Sequence, residues 1–244
     1  MIHYHGGPIT PETCARRVWE GRHAFVSWAH PVQLELAAAV TQSFALDNGA
    51  FSLWKAGKPV DWEDYYRWSE KWLRHPACDW AIIPDVIGGT EDENDALLDL
   101  WPHGDRGVPV WHLNESPARL VRLADRYPRV ALGSAAEFDV SKPSKCIARL
   151  NFVLPAITVD GTPVVKLHGL RMLNPKVVEA IPLASADSTN VARNIGIDKA
   201  WKGTYTPATK ETRADVLVER IERTQSPHRL VNVVEPPEGL WDVA

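Results

Sequence analysis

Cysteine is scarce in this sequence, with three residues among 244. Cys14, Cys78 and Cys146 lie far apart and form no CxxC pair, and no cysteine follows Cys146. Disulfide frameworks and cysteine-rich zinc sites both need closely spaced cysteines. The sequence therefore indicates neither kind of site.

Long hydrophobic runs are also missing. No apolar stretch approaches the roughly 20 residues that a membrane-spanning helix needs. The first residues, Met1-Ile-His-Tyr-His-Gly-Gly7, turn polar almost at once, whereas a secretory signal peptide has a basic start followed by an apolar stretch. We therefore expect no membrane partner and a cytoplasmic location.

Two further absences concern nucleotides and nucleic acids. Neither a GxGxxG motif nor a P-loop follows the first predicted strand, which speaks against an open nucleotide-binding sheet. The formal net charge of −4 argues against indiscriminate nucleic-acid binding. The charge is uneven, however, because residues 141–213 carry eleven Lys or Arg against five Asp or Glu. This basic segment suits local contact with an anionic polymer, and it suits a merely uneven surface as well.

Short apolar runs alternate with amphipathic stretches along the whole chain. Strands are predicted near residues 2–5, 24–29, 44–46, 80–84, 108–113, 130–132, 164–168 and 183–186, with helices between them. Eight such alternations on short connections are typical of a (β/α)₈ barrel, and the length of 244 residues fits one. We predict an α/β fold with a single TIM-barrel domain over residues 1–244. An open doubly wound sheet is the competing architecture.

Three aspartates follow predicted strands at corresponding places. Asp47, Asp85 and Asp187 each come directly after a short apolar run. In α/β enzymes the carboxyl ends of parallel strands carry the chemistry, so the three carboxylates are expected on one face. Each also has a structural explanation: Asp47 as a turn former, Asp85 as a loop-entry residue and Asp187 as a helix N-cap. The recurrence of the pattern favours an active site.

Other polar residues and glycines share the predicted strand exits. Carboxylates in an enclosed mouth suit attack on a sugar anomeric carbon, and they equally suit a metal that activates water. The remaining mouth residues are His3 and His5, Asn48, His112 and Asn114, Gly133 and Ser134, His168 and Gly169.

Several of these stretches resemble segments of the tRNA-guanine transglycosylase (queuine tRNA-ribosyltransferase) superfamily. Leu46-Asp-Asn-Gly-Ala-Phe-Ser-Leu53 is similar to the family's Asp-Ser-Gly-Gly-Phe-Gln segment, and Asp85 resembles its purine-binding aspartate. Val130-Ala-Leu-Gly-Ser134 and Lys166-Leu-His-Gly-Leu170 resemble its two following strands. Asp187-Ser-Thr-Asn-Val-Ala-Arg193 resembles the segment with the nucleophilic aspartate. The order is kept from about residue 43 to 194, over most of the predicted barrel.

The resemblance implies exchange of a guanine in a nucleic acid for a 7-deazaguanine base. Asp187 would attack C1′ and form a covalent intermediate, and Asp47 would be the general acid/base. Asp85 would accept hydrogen bonds from the purine edge, because guanine N1–H and its 2-amino group are adjacent donors. The implied substrate-binding residues are Asp85, Asn48, His112, Asn114, Gly133, Ser134, His168 and Gly169.

Departures from the family pattern point to one of its branches. The cysteine-rich zinc module is absent, the chain is shorter, and His112-Leu-Asn-Glu115 stands where the tRNA enzymes have a glutamine-glycine pair. The sequence therefore resembles phage 7-deazaguanine DNA transglycosylases most, which implies a DNA partner in preference to tRNA, no cofactor and a host-cytoplasmic location. The target base must leave the stack to reach a barrel mouth. The candidate phosphate-binding residues are Arg171, Arg193, Lys199 and Lys202.

Two other functions stay open at this point. His3 and His5 on the first strand, with His112 and Asp187, are similar to the metal ligands of amidohydrolases. That pattern is incomplete, because Asp85 stands where a lysine is expected and Ser134 where a histidine is expected. The second alternative is a barrel that binds a purine or a nucleic acid without turnover.

Overall fold

The computed structural model describes residues 1–135, 137–196 and 201–230, which form two compact units. The first unit comprises Ile2–Gly107 together with Asp187–Arg223. The second unit comprises Met1, Val108–Ala186 and the described residues from Thr224 onward. The single domain over residues 1–244 stays a prediction.

Strands and helices alternate through both units, as the sequence predicts. The strands of the described residues are β1 (Ile2–Gly6), β2 (His23–Ser27), β3 (Ser43–Asp47), β4 (Cys78–Ile82), β5 (Gly107–Val108), β6 (Val110–His112), β7 (Arg129–Gly133), β8 (Thr158–Val159), β9 (Thr162–Pro163), β10 (Lys166–Gly169) and β11 (Ser185–Ser188). The α-helices are α1 (Glu12–Trp19), α2 (Leu34–Val40), α3 (Ala50–Lys55), α4 (Trp62–Leu73), α5 (Glu91–Leu100), α6 (Pro117–Arg126), α7 (Pro143–Val153), α8 (Pro175–Val178), α9 (Asn190–Asn194) and α10 (Lys210–Glu222). Short 3-10 helices cover Pro31–Gln33, Gly104–Arg106 and Leu154–Ile157.

Hydrogen bonds join nine of these strands in the order β5-β4-β3-β2-β1-β11-β10-β7-β6. Strands β1 to β4 pair in parallel with their sequence neighbours, and so do β6 with β7, β7 with β10 and β10 with β11. Strands β8 and β9 pair antiparallel, in a separate hairpin. The predicted α/β class with a parallel sheet is therefore confirmed.

Register in the first unit assigns each residue to one face of the sheet. Tyr4 pairs with His23, and Phe25 pairs with Ala45, while Ser27 pairs with Asp47. Because side chains alternate along a strand and paired residues share a face, these residues lie on one side. The side chain of Phe44 lies on the other side, where its ring packs against Trp72 and His75 at centroid distances of 6.1 and 5.5 Å.

Several helices begin where the sequence places a capping side chain. Asp61 and Thr209 accept hydrogen bonds from the backbone N–H three residues on, at α4 and α10. Thr90 and Glu93 form a complete capping box at α5, and Ser116 caps α6 ahead of a first-turn proline. These caps satisfy N–H groups that an α-helix leaves without internal partners.

Four local features differ from the sequence predictions. The fifth predicted strand is split into β5 and β6 at Pro109, which has no N–H to donate to the ladder. Helix α3 and the β8–β9 hairpin lie where no element was predicted. The hairpin turns at Asp160 and Gly161, both with positive φ (49° and 75°), which is the geometry that an Asp-Gly pair favours. Asp187 lies inside β11 rather than after it.

None of the helices in residues 1–135, 137–196 and 201–230 is both long enough and apolar enough to span a lipid bilayer. The expected cytoplasmic location stays a prediction.

Candidate functional site

Asp47 ends β3 and is half-buried at the carboxyl edge of the first unit's strands. The next turn is tight: Gly49 has φ 74°, and a Cβ there would lie 2.8 Å from the Ala29 backbone nitrogen. A side chain at position 49 would therefore meet both backbone strain and a clash. The Asn48-Gly49 turn thus fixes the direction in which the chain leaves Asp47.

Asn48 connects the ends of β3 and β4. Its side chain is 2% exposed, and its Nδ2 donates to Asp85 Oδ1 at 2.7 Å and to the Ile83 carbonyl at 3.0 Å. Its Oδ1 accepts from the Ala50 backbone N–H at 2.9 Å. Asn48 therefore holds Asp85 in place, and the substrate contact predicted for Asn48 stays a prediction.

Besides its burial, the charges of Asp47 and Asp85 both raise the pKa of Tyr65. Tyr65 is buried and donates its hydroxyl to the Ile82 carbonyl at 2.7 Å. Burial raises the pKa of Tyr65 well above its usual value, and the charges of Asp47 and, more weakly, Asp85 raise it further. Through its bond to Asn48, Asp85 lies beside the residue that directly follows Asp47.

Asp187 is the third residue of β11 and is 3% exposed. The chain directly after it packs on the end of β1: a Cβ on Gly6 would lie 2.9 Å from Thr189 Cγ2 and 3.3 Å from the Ser188 carbonyl oxygen. The carboxyl ends of β11 and β1 therefore meet. Since β1, β2 and β3 are successive neighbours, Asp187 lies three strands from Asp47, or roughly 14 Å along a flat sheet.

The predicted binding residues of the second unit lie on three of its strands. His112 ends β6 and packs on Gly133, the last residue of β7, where a Cβ would lie 2.9 Å from His112 Cδ2. His168 in β10 is buried, and its Nδ1 lies 2.9 Å from Ser185 Oγ. Gly169, which ends β10, is also buried.

Two other predicted binding residues of the second unit lie in loops. Ser134 follows β7, and its Oγ is buried with no hydrogen-bond partner among the described residues. Asn114 is exposed in the turn after β6, so the predicted strand alternation of His112 and Asn114 does not apply.

A buried ionic cluster beside His112 was missed by the sequence reasoning. Glu115 accepts from the His112 backbone N–H at 2.9 Å and from Arg119 Nη1 at 2.7 Å, and its Oε1 lies 3.1 Å from His112 Nδ1. Glu115 and Arg119 are 6% and 1% exposed. Burial acts to raise the pKa of Glu115, but the bonds from His112 and the charge of Arg119 outweigh it and lower the pKa. Glu115 and Arg119 are four residues apart across the start of α6, and this spacing was the sequence signal for the ion pair.

The strand register places His5 on the opposite face of the sheet from Asp47. His5 pairs with Ala24, which pairs with Phe44 on the opposite side of the sheet. The His5 ring is fully buried, and its Nε2 lies 3.0 Å from Glu222 Oε1 of α10. His3 shares this face by alternation. Among the residues that the structure describes, no group of three or more His, Cys, Asp or Glu side chains could hold a metal ion. The metal-hydrolase alternative needs both histidines in the mouth, which this register does not provide.

The predicted phosphate-binding residues are exposed where the structure describes them. Arg171 follows β10 with φ 57°, Arg193 lies in α9, and Lys202 lies in the loop before α10. Lys199 lies outside the described residues. The nucleic-acid role of these side chains stays a prediction.

A cleft of about 550 Å³ lies elsewhere in the first unit, between α1 and α10. Its lining charges pair with one another: Arg17 with Asp215 at 2.6 Å and Arg22 with Glu222 at 3.2 Å. It contains none of the predicted site residues, so we place the candidate site at the carboxyl ends of the strands. The residues that line the cleft are Arg17, Arg22, Asp215, Glu219, Glu222 and Arg223.

Comparison with known proteins adds no assignment, because no protein-family model, no curated protein and no solved structure matches the chain.

Proposed function

We propose that this protein is a base-exchange transglycosylase that replaces guanine in a nucleic acid with a 7-deazaguanine derivative. The observation that carries the proposal is that Asp47 ends β3, and the next residue, Asn48, donates to Asp85, which follows the adjacent parallel strand β4. Asp187 lies at a strand end of the same unit. The proposed catalytic and base-recognising carboxylates therefore all lie in the first unit.

Asp85 has the chemistry to recognise guanine. A carboxylate has about four acceptor positions on its two oxygens, and the amide of Asn48 donates to Oδ1 of Asp85. Guanine offers N1–H and the 2-amino group side by side, which matches a carboxylate that accepts two parallel hydrogen bonds. At 8% exposure Asp85 is shielded from water, which strengthens such bonds. Adenine lacks this pair of donors, so the same group discriminates against it.

Asp187 and Asp47 divide the reaction between them in this proposal. A carboxylate oxygen of Asp187 attacks C1′ as the bond from C1′ to guanine N9 breaks, and the base leaves with the bonding electron pair. Asp47 gives the leaving guanine a proton. The incoming 7-deazaguanine then returns a proton to Asp47 and attacks C1′, which releases Asp187. The two half-reactions exchange one base for another with no net gain of protons.

The finer fold assignment is part of the proposal. Only Pro109 separates β5 from β6, and counting them as one interrupted strand gives eight parallel strands in sequence order. This is the connectivity of a (β/α)₈ barrel, in which active sites lie at the carboxyl ends of the strands. The base-binding roles that the resemblance implies for His112, Gly133, Ser134 and His168 stay predictions.

Isotope incorporation tests the proposal. Purified protein is incubated with radiolabelled guanine and DNA, then with tRNA, and label in the polymer is counted. We expect label in one polymer, DNA in preference, and its loss in Asp187→Asn. Asp160→Asn in the exposed β8–β9 turn is the matched control, because asparagine also tolerates a positive φ.

Trapping of the intermediate identifies the nucleophile. Mass spectrometry of a digested protein–nucleic acid adduct is expected to find the attachment at Asp187. Guanine binding without incorporation into either polymer, by a protein that is folded, would instead support a non-catalytic purine-binding role.

A further inference from the structure

An exposed aromatic pair lies on α3, directly after the Asp47 turn. Phe51 and Trp54 are 40% and 59% exposed, and their ring centroids are 5.9 Å apart at an interplanar angle of 39°. They are three residues apart, so they share one face of the helix. Single exposed apolar side chains are ordinary on a protein surface, but adjoining large rings beside a candidate site mark a binding surface.

Helix α3 is fixed to the candidate site at its first residue. The Ala50 backbone N–H donates to Asn48 Oδ1 at 2.9 Å, and the Leu53 N–H donates to the Gly49 carbonyl at 3.0 Å. Asn48 in turn holds Asp85. The aromatic pair is therefore held at a defined position relative to the carboxylates.

Two lysines lie at the carboxyl end of α3. Gly57 has φ 62°, and the N–H groups of Gly57 and Lys58 donate to the carbonyls of Trp54 and Leu53 at 3.0 Å each. This is a Schellman turn, which folds the chain back against the last turn of the helix. It keeps the exposed Lys58 close to the exposed Lys55.

The charge of this segment has one sign. Residues 48–60 contain two lysines and no aspartate or glutamate. The next acidic side chains along the chain are Asp61, which caps α4, then Glu63, and then Asp64, which pairs with Arg67 at 3.2 Å. Exposed rings interleaved with lysines are the combination that single-stranded nucleic acids bind, through base stacking and phosphate contacts.

We propose that Phe51, Trp54, Lys55 and Lys58, here called the α3 surface, bind the nucleic-acid strand next to the nucleotide that enters the site. The bases beside the extruded nucleotide stack on the two rings, and the lysines contact the adjoining phosphates. This inference rests on the proposed function, since it takes the substrate to be a nucleic acid. It assigns strand binding to residues other than those of the basic segment 141–213.

Binding of a fluorescein-labelled single-stranded DNA, followed by fluorescence anisotropy, tests the α3 surface. Trp54→Ala is expected to weaken binding about ten-fold, the loss of one stacked base, and Trp54→Phe to restore most of it. Leu100→Ala, at a similarly exposed position (64%) on α5, is the control and is expected to bind like the unmodified protein. Replacing both lysines with alanine is expected to reduce the slope of log Kd against log salt by ~1.4.

The binding assay separates this inference from the proposed function. If Trp54→Ala weakens DNA binding while the unmodified protein exchanges no label, DNA binding by the α3 surface is supported and the transglycosylase proposal is refuted. If Trp54→Ala binds like Leu100→Ala while Asp187→Asn abolishes exchange, the α3 surface is overturned and the function stands. If Trp54→Ala changes the molecular mass measured by light scattering but leaves DNA binding unchanged, the α3 surface is a contact between copies of the chain. That result also overturns the inference. Failure of the unmodified protein to bind DNA overturns it as well.

Discussion

Replacing Asn48 by aspartate is the sharpest test of how the candidate site is built. The substitution keeps the size of the side chain and the acceptor that faces the Ala50 N–H. It removes the two bonds donated to Asp85 Oδ1 and to the Ile83 carbonyl. It also places a second carboxyl group at the 2.7 Å separation that Asn48 now has from Asp85. We therefore expect a stability loss that grows with pH.

The expected magnitude follows from burial and charge. Asn48 is 2% exposed, so an introduced carboxyl group would be desolvated as well as close to the charge of Asp85, and both effects raise its pKa. A rise of about two units corresponds to ~3 kcal/mol, at about 1.4 kcal/mol per unit. A carboxyl group with a raised folded-state pKa stabilises the fold below its unfolded pKa, and that stability is lost as pH rises through the folded pKa. The loss should therefore develop between about pH 4 and 6.

Urea unfolding followed by tryptophan fluorescence at pH 5 and pH 8 measures this effect. Asn48→Asp is expected to lose ~3 kcal/mol of unfolding free energy at pH 8 and clearly less at pH 5. Asn114→Asp, at an exposed position, is the matched control and should change stability by no more than ~0.5 kcal/mol at either pH. The role assigned to Asn48 would be refuted if Asn48→Asp lost the same unfolding free energy at both pH values. A loss no larger than that of Asn114→Asp would refute it as well.

Three further predictions concern stability and reactivity. Glu115→Gln removes the charge that balances a buried arginine, so urea unfolding should show a loss of ~3 kcal/mol. Burial acts to raise the pKa of Glu222, but the hydrogen bond and charge of His5, together with the charge and hydrogen bond of Arg22, outweigh it and lower the pKa. The stability from Glu222 is thus present above its unfolded pKa and lost as pH falls through the folded pKa, so Glu222→Gln should flatten the acid side of the stability–pH curve. Burial raises the pKa of Cys78 to about 12 and of Cys146 to about 11, so iodoacetamide at pH 8 should label them only in urea, as mass spectrometry would show.

Local sequence signals located most elements but not all of their ends. Alternating apolar runs located the parallel strands, and Asp61, Ser116 and Thr209 marked helix starts because capping depends on neighbours within three residues. Helix α3 escaped prediction because its N-cap is Gly49, which offers no side-chain acceptor. The β8–β9 hairpin does carry an Asp-Gly turn, a local signal typical of hairpins.

In the candidate site, too, local sequence accounts for some features and tertiary contacts for others. Local sequence placed Asp47, Asp85 and Asp187 at or just beyond strand ends, because apolar runs and turn residues act over a few positions. Pairing register alone decided that His5 lies on the opposite face from Asp47, since a shift of one residue exchanges the two faces of a strand. Tertiary contact also decided that Asn48 bonds to Asp85, 37 residues away, and that Glu222 meets His5 across 217 residues. Such partners are brought together by the packing of distant segments, which no local pattern encodes.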